Sequence, residues 1–66
     1  MKIVVDKQCD TLYLRFDEER IVESEQIRPG VILDYDENDR VVGVEFLDIS
    51  TRASDLELSN LEFRTV

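Results

Sequence analysis

The sequence predicts a mostly β domain: a small antiparallel meander sheet of five to six strands, with one short helical turn near residues 50–55. Two observations lead there. Apolar and polar residues alternate from Leu12 to Phe16 and again from Val31 to Leu47, which is the two-residue period of half-buried strands. Turn-forming pairs, Pro29-Gly30 and Asn38-Asp39, punctuate these runs, in a chain with only one Pro and two Gly.

Ile3 to Val5 is short and β-branched and reads as a first strand, and the polar run Asp6-Lys7-Gln8-Cys9-Asp10 as the loop after it. Leu12, Leu14 and Phe16 share one side of a second strand, and Asp17-Glu18-Glu19-Arg20 turns the chain. A third strand from Ile21 to Arg28 has a weaker pattern. It also reads as a charged helical turn, although it lacks an apolar stripe to bury. Pro29-Gly30 then suits a tight turn, since Pro presets φ and Gly accepts a positive φ after it.

The next segment predicts a hairpin with a two-residue loop at Asn38-Asp39. Pairing outward sets Glu37 against Arg40, Tyr35 against Val42, Leu33 against Val44 and Val31 against Phe46. The three apolar pairs share a face, and the opposite face receives Asp34 across from Gly43 and Ile32 across from Glu45. A slip of one residue would turn Asp34 and Asp36 into the core, so the register is strongly specified. Beyond Asp48, small polar residues with a cap at Ser50 predict a helical turn anchored by Leu56 and Leu58. Residues 50–60 stay open between helix and loop. Leu61 and Phe63 alternate with Glu62 and Arg64, as in a last short strand.

With 66 residues the chain is a single domain, 1–66, and buries only about 60% of the surface that its unfolded form exposes. Support from a second copy is therefore expected. One cysteine excludes an intrachain disulfide, no histidine is present, and an apolar sheet face without a long helix needs a cover. A homodimer is the first expectation and a tightly packed monomer the alternative. The net charge of −8 repels a phosphate backbone, so no direct nucleic-acid binding is expected; a solvated surface is the first reading of the charge and a basic protein partner the second. A lone cysteine fits a reducing cytoplasm. No signal segment or membrane span is expected either, so the chain is assigned to the cytoplasm without membrane association.

No catalytic, metal or cofactor site is expected. Asp34, Asp36, Asn38 and Glu45 match the acidic positions of a helix-flanked calcium loop, but Asp39 stands where that loop needs Gly and the flanks alternate as strands. Asp10 and Asp34 have the best-defined neighbourhoods among the acids, yet proton-transfer chemistry needs a pocket that raises one carboxyl. Cys9 lies between Asp6 and Asp10, which raise a thiol pKa rather than lower it. Tyr13 and Tyr35 read as sheet residues, and Arg15, Arg28 and Arg40 as partners of acids across strands. The candidate functional surface is an acidic, partner-binding face formed by Asp34, Asp36 and Glu45.

The order Met1-Lys2-Ile3, Asp6, Asp10-x-Leu12-Tyr13-Leu14-x-Phe16, Glu23-Ser24-x-Gln26, Pro29-Gly30-Val31-Ile32-Leu33-Asp34-Tyr35-Asp36 and Val41-Val42-Gly43-Val44-Glu45-Phe46-Leu47-Asp48-x-Ser50 resembles the domain-of-unknown-function family DUF2283. The resemblance spans residues 1–52 and is most specific from Pro29 to Ser50. The family usually has Gly where this chain has Asp39. The resemblance implies no established activity. Some relatives are encoded beside small toxin-like proteins of the ribonuclease type, which implies an antitoxin-like partner of a basic toxin. The expected function is thus a protein-interaction module and not an enzyme, with a homodimer that binds a small ligand or cation as the alternative.

Overall fold

A computed structural model describes all 66 residues. Five strands form one antiparallel sheet: β1 (Lys2–Asp6), β2 (Thr11–Arg15), β3 (Glu23–Arg28), β4 (Val31–Tyr35) and β5 (Val41–Leu47). A 3-10 turn at Ile49–Thr51 and a short helix, α1 (Asp55–Ser59), follow. The mostly β, five-strand antiparallel expectation holds.

The order across the sheet, β1-β2-β5-β4-β3, departs from a simple meander because β5 inserts between β2 and β4. The physical reason is legible in β3. Its sequence Glu-Ser-Glu-Gln-Ile-Arg is exposed throughout, and a meander would have enclosed it between two neighbours. At the edge, its charges stay in water and discourage further strand pairing. The centre goes instead to β5, whose Val44 lies between Leu14 and Leu33 and whose Phe46 lies between Leu12 and Val31.

The β4–β5 register is the expected one for Val31–Phe46, Ile32–Glu45, Leu33–Val44 and Asp34–Gly43. Nearer the turn it differs. Tyr35 pairs with Val41 and not with Val42, and the register shifts between Asp34 and Tyr35. The loop has three residues, Glu37-Asn38-Asp39: the Asp36 N–H donates to the Arg40 carbonyl, the Asp39 N–H donates to the Asp36 carbonyl, and Asp39 has φ 63°. A tight turn closed by one left-handed residue is the usual three-residue hairpin loop. The extra loop residue and the bulge at Val42 cancel, which is why the distal pairs still fall in the expected register.

Between β3 and β4, Gly30 has φ 77° after Pro29, as a turn with proline before glycine requires. A Cβ on Gly30 would also stand 3.3 Å from the Leu47 carbonyl oxygen. At the C-terminal end, the helix cap is Ser54, whose Oγ accepts from the Glu57 N–H, and not Ser50. Leu56 is 69% exposed and does not anchor the helix. The expected last strand is absent, and Leu61 and Phe63 project into solvent.

Cross-strand pairing sorts the sheet into two faces. One carries the rows Ile3–Leu14–Val44–Leu33 and Val5–Leu12–Phe46–Val31, and the first row continues to Glu25 on β3. These apolar residues are only half-buried, and Ile3 is exposed. Val42 and Ile49 are the only buried hydrophobic residues. The sheet is a single layer, with one apolar face left largely open.

Candidate functional site

The second face bears the row Arg15–Gly43–Asp34–Ser24 and, beside it, Tyr13–Glu45–Ile32–Gln26. Gly43 leaves a gap in the middle of the first row. Asp34 Oδ2 and the Tyr13 hydroxyl approach from either side, and a Cβ on residue 43 would meet them at 3.0 and 3.2 Å. Asp34 Oδ1 accepts from the Ser24 hydroxyl at 2.6 Å, tying β4 to the β3 edge. Arg15 donates to the Tyr13 hydroxyl, to the Asp17 carbonyl and to the Glu19 carbonyl, so it fastens the β2–β3 connection to the sheet. The hydrogen bond to Tyr13 raises the already high Arg15 pKa further.

Asp34, Asp36 and Glu45 do not form the solvated acidic face expected of them. Asp34 is 7% exposed and Asp36 2%, while Glu45 is half-buried beside Tyr13. Asp36 is a turn brace. Its Oδ1 accepts from the Asn38 and Arg40 N–H groups at 2.9 and 3.0 Å, and its Oδ2 accepts from the Arg40 guanidinium at 3.2 Å. Those backbone bonds, first of all the one from Arg40, hold the Asp36 pKa below the ordinary 3.8. Short polar side chains bond nearby backbone amides in this way at turns, and a sequence pattern does not separate such an acid from a solvated one.

Other acids have the same occupation. Asp6 Oδ1 accepts from the Cys9 N–H at 2.9 Å, which lowers the Asp6 pKa. The Cys9 thiol is exposed, and its pKa is pushed up by its hydrogen bond to Asp6 and by that negative charge. Asp10 adopts φ 57° and reaches across forty residues: its two carboxylate oxygens accept from the Ser50 N–H at 3.0 Å and the Ser50 hydroxyl at 2.6 Å. Its carbonyl also takes the Ile49 N–H, so the buried Ile49 is held in place from the β1–β2 loop. Gln26 Oε1 accepts from the Gly30 N–H. The polar residues Asp6, Asp10, Ser24, Gln26, Asp34, Asp36 and Ser50 thus all hold turns and strand ends together.

The expected cross-strand pairing of arginines with acids is not formed. Arg40 pairs with Asp36 within one turn, and Arg28 donates to the Ile27 carbonyl. No cavity forms, and no group of three or more His, Cys, Asp or Glu is placed to hold a metal ion. No helix is long and apolar enough to cross a membrane.

The free negative charge lies elsewhere, along the β2–β3 connection and β3. Asp17, Glu18, Glu19, Glu23 and Glu25 are all exposed, and none is in an ion pair. Sequence reasoning took Asp17-Glu18-Glu19 as a turn and β3 as one more strand, and so missed the patch. The signal was present in their spacing, but only the order of strands puts β3 at an edge.

No curated protein and no solved structure matches the chain. The model of the family described as "Protein of unknown function (DUF2283)" matches residues 2–50, most of the chain and all five strands. This chain belongs to the DUF2283 family.

Proposed function

We propose that this domain is a protein-interaction module that engages a basic protein, in the manner of an antitoxin neutralising a basic toxin. The reading is supported above all by the exposed carboxylates of Asp17, Glu18 and Glu19 in the β2–β3 connection and of Glu23 and Glu25 on the edge strand β3, none of them in an ion pair. Opposed charge of this kind speeds encounter and selects against acidic partners. Asp34 and Asp36, being buried and hydrogen-bonded, act behind this surface by holding β3 and the β4–β5 turn in place. A cytoplasmic setting is part of the proposal, supported by a lone, exposed cysteine.

Co-purification from native lysate tests it. The wild type is expected to retain a stoichiometric basic protein, released at about 0.5 M salt, where the screening length is only a few ångströms. A variant carrying D17N, E18Q, E19Q, E23Q and E25Q is expected to retain none. Recovery of no stoichiometric partner, or equal recovery by both proteins, contradicts the proposal.

A further inference from the structure

The molecule exposes more surface than a folded chain of its size should. Its accessible area is 5201 Å². A folded monomer of 7.7 kDa exposes about 4,300 Å². The excess, about 900 Å² by that relation, is close to the roughly 800 Å² that each partner contributes to a standard interface. The radius of gyration agrees: 12.7 Å, against about 11 Å for a compact chain of this length. Part of the excess lies in the exposed residues after α1 and part in the apolar face, whose two rows have no second layer over them.

We infer that a second copy of this chain covers that face, in an isologous dimer whose two-fold axis runs parallel to the strands along β5. The face itself is uncharged across β1, β2, β5 and β4, so it suits an apolar surface like itself rather than a basic one. Charge at its margin selects the axis. On this face the edge strand β3 brings Glu23, Glu25 and Arg28, a net charge of −1, whereas the opposite edge, β1, brings only the uncharged Ile3 and Val5. An axis perpendicular to the strands would lay β3 on β3 and bring two edges of the same net charge together. An axis parallel to them lays β3 of each copy over β1 of the other.

Because β5 is the central strand, each row then meets itself reversed. Val44 lies on its own counterpart at the axis, Leu14 faces the second copy's Leu33, and Ile3 faces its Glu25. This assembly does not depend on the basic partner, and the two respond oppositely to salt. Screening weakens contact with a basic protein, but it eases the repulsion between two copies that each carry −8.

Sedimentation and thiol cross-linking test the inference. The wild type is expected to sediment at twice the chain mass, more completely at about 0.5 M salt than in dilute buffer. The V44E variant is expected to sediment as a single chain with its strand signal in circular dichroism retained. The cross-linking uses a C9S background and a bis-maleimide spanning about 10 Å, the spacing of packed sheets. There the I3C/E25C double variant is expected to give covalent dimers, while I3C and E25C alone remain single chains. Residues 3 and 25 end one row four strand spacings apart, about 19 Å, so the reagent cannot bridge them within one chain.

A wild type that sediments as a monomer overturns the inference, whatever protein it retains from lysate. So does a V44E variant that stays dimeric. Cross-linking of E25C alone overturns the assigned axis. If V44E fails to fold, the wild-type mass and the cross-links still decide.

Discussion

Three non-glycine residues adopt a positive φ, and all three are aspartate: Asp10, Asp39 and Asp48. The left-handed region costs an L-residue free energy, less for Asp than for most because its short side chain bonds locally. Asp10 offsets that cost by binding Ser50. Asp39 has no side-chain hydrogen bond of this kind, and its carbon skeleton gains nothing from the conformation. Replacing Asp39 with Gly is therefore expected to stabilise the protein by about 0.5 kcal/mol, the relieved strain exceeding the added flexibility of the unfolded chain. Urea denaturation reads this as a higher midpoint at unchanged slope. Asp36 supplies a second prediction, one of pH. Its folded pKa lies below 3.8, so its contribution is complete above that value and is lost as the pH falls through the depressed one. The stability gap between wild type and Asp36→Asn should be widest near neutral pH and should narrow below 3.8. A constant gap from pH 7 to pH 3 would show that the carboxylate charge does not matter to the turn.

At the scale of elements, Gly43 is the position on which the central hairpin depends. A Cβ there would stand 3.0 Å from Asp34 Oδ2, 3.2 Å from the Tyr13 hydroxyl and 3.4 Å from the Leu14 carbonyl oxygen. Gly43→Ala should cost about 1 kcal/mol, as overfilling a packed site does, and should displace Asp34 from Ser24. Amide exchange in β3 then rises more than in β1. The apolar alternation and Pro29-Gly30 made the hairpin legible in the sequence, and four of its residue pairs follow from them. The turn itself was not legible, because Asn38-Asp39 suits both a two-residue and a three-residue loop and the side chain that decides is Asp36. Strand order was hidden for a different reason. Period-two patterns tell which face a residue takes but not which strand is its neighbour, so β5 between β2 and β4 appears only in three dimensions. Acids failed as site markers in the same way. Asp34 and Asp36 read as surface charge, yet Ser24 and the turn amides draw them inward, while the acids that stay free belong to a segment read as connection. The alternation of Leu61 with Phe63 has no strand behind it, since neither edge of the sheet receives it.

The whole molecule is a five-strand sheet with one finished face and one open face. Polar side chains knit the first: Asp34 to Ser24 and Arg15 to Tyr13, with Asp10 to Ser50 tying the loop end. On the second, eight apolar residues in two rows shield one another without a covering layer. A chain of 66 residues with two buried hydrophobic side chains has little core of its own, so a second copy adds a large share of its stability. The covering of this face by a second copy is the central claim, and the dependence of the melting temperature on concentration tests it most directly. If the dimer is the folded unit, a hundredfold rise in protein concentration contributes about 2.7 kcal/mol per dimer. With an unfolding entropy near 2.1 cal/mol/K for each residue of two chains, that raises Tm by about 10 °C. The account predicts such a rise for the wild type and none for V44E. A wild-type Tm that stays constant over the same range would contradict it.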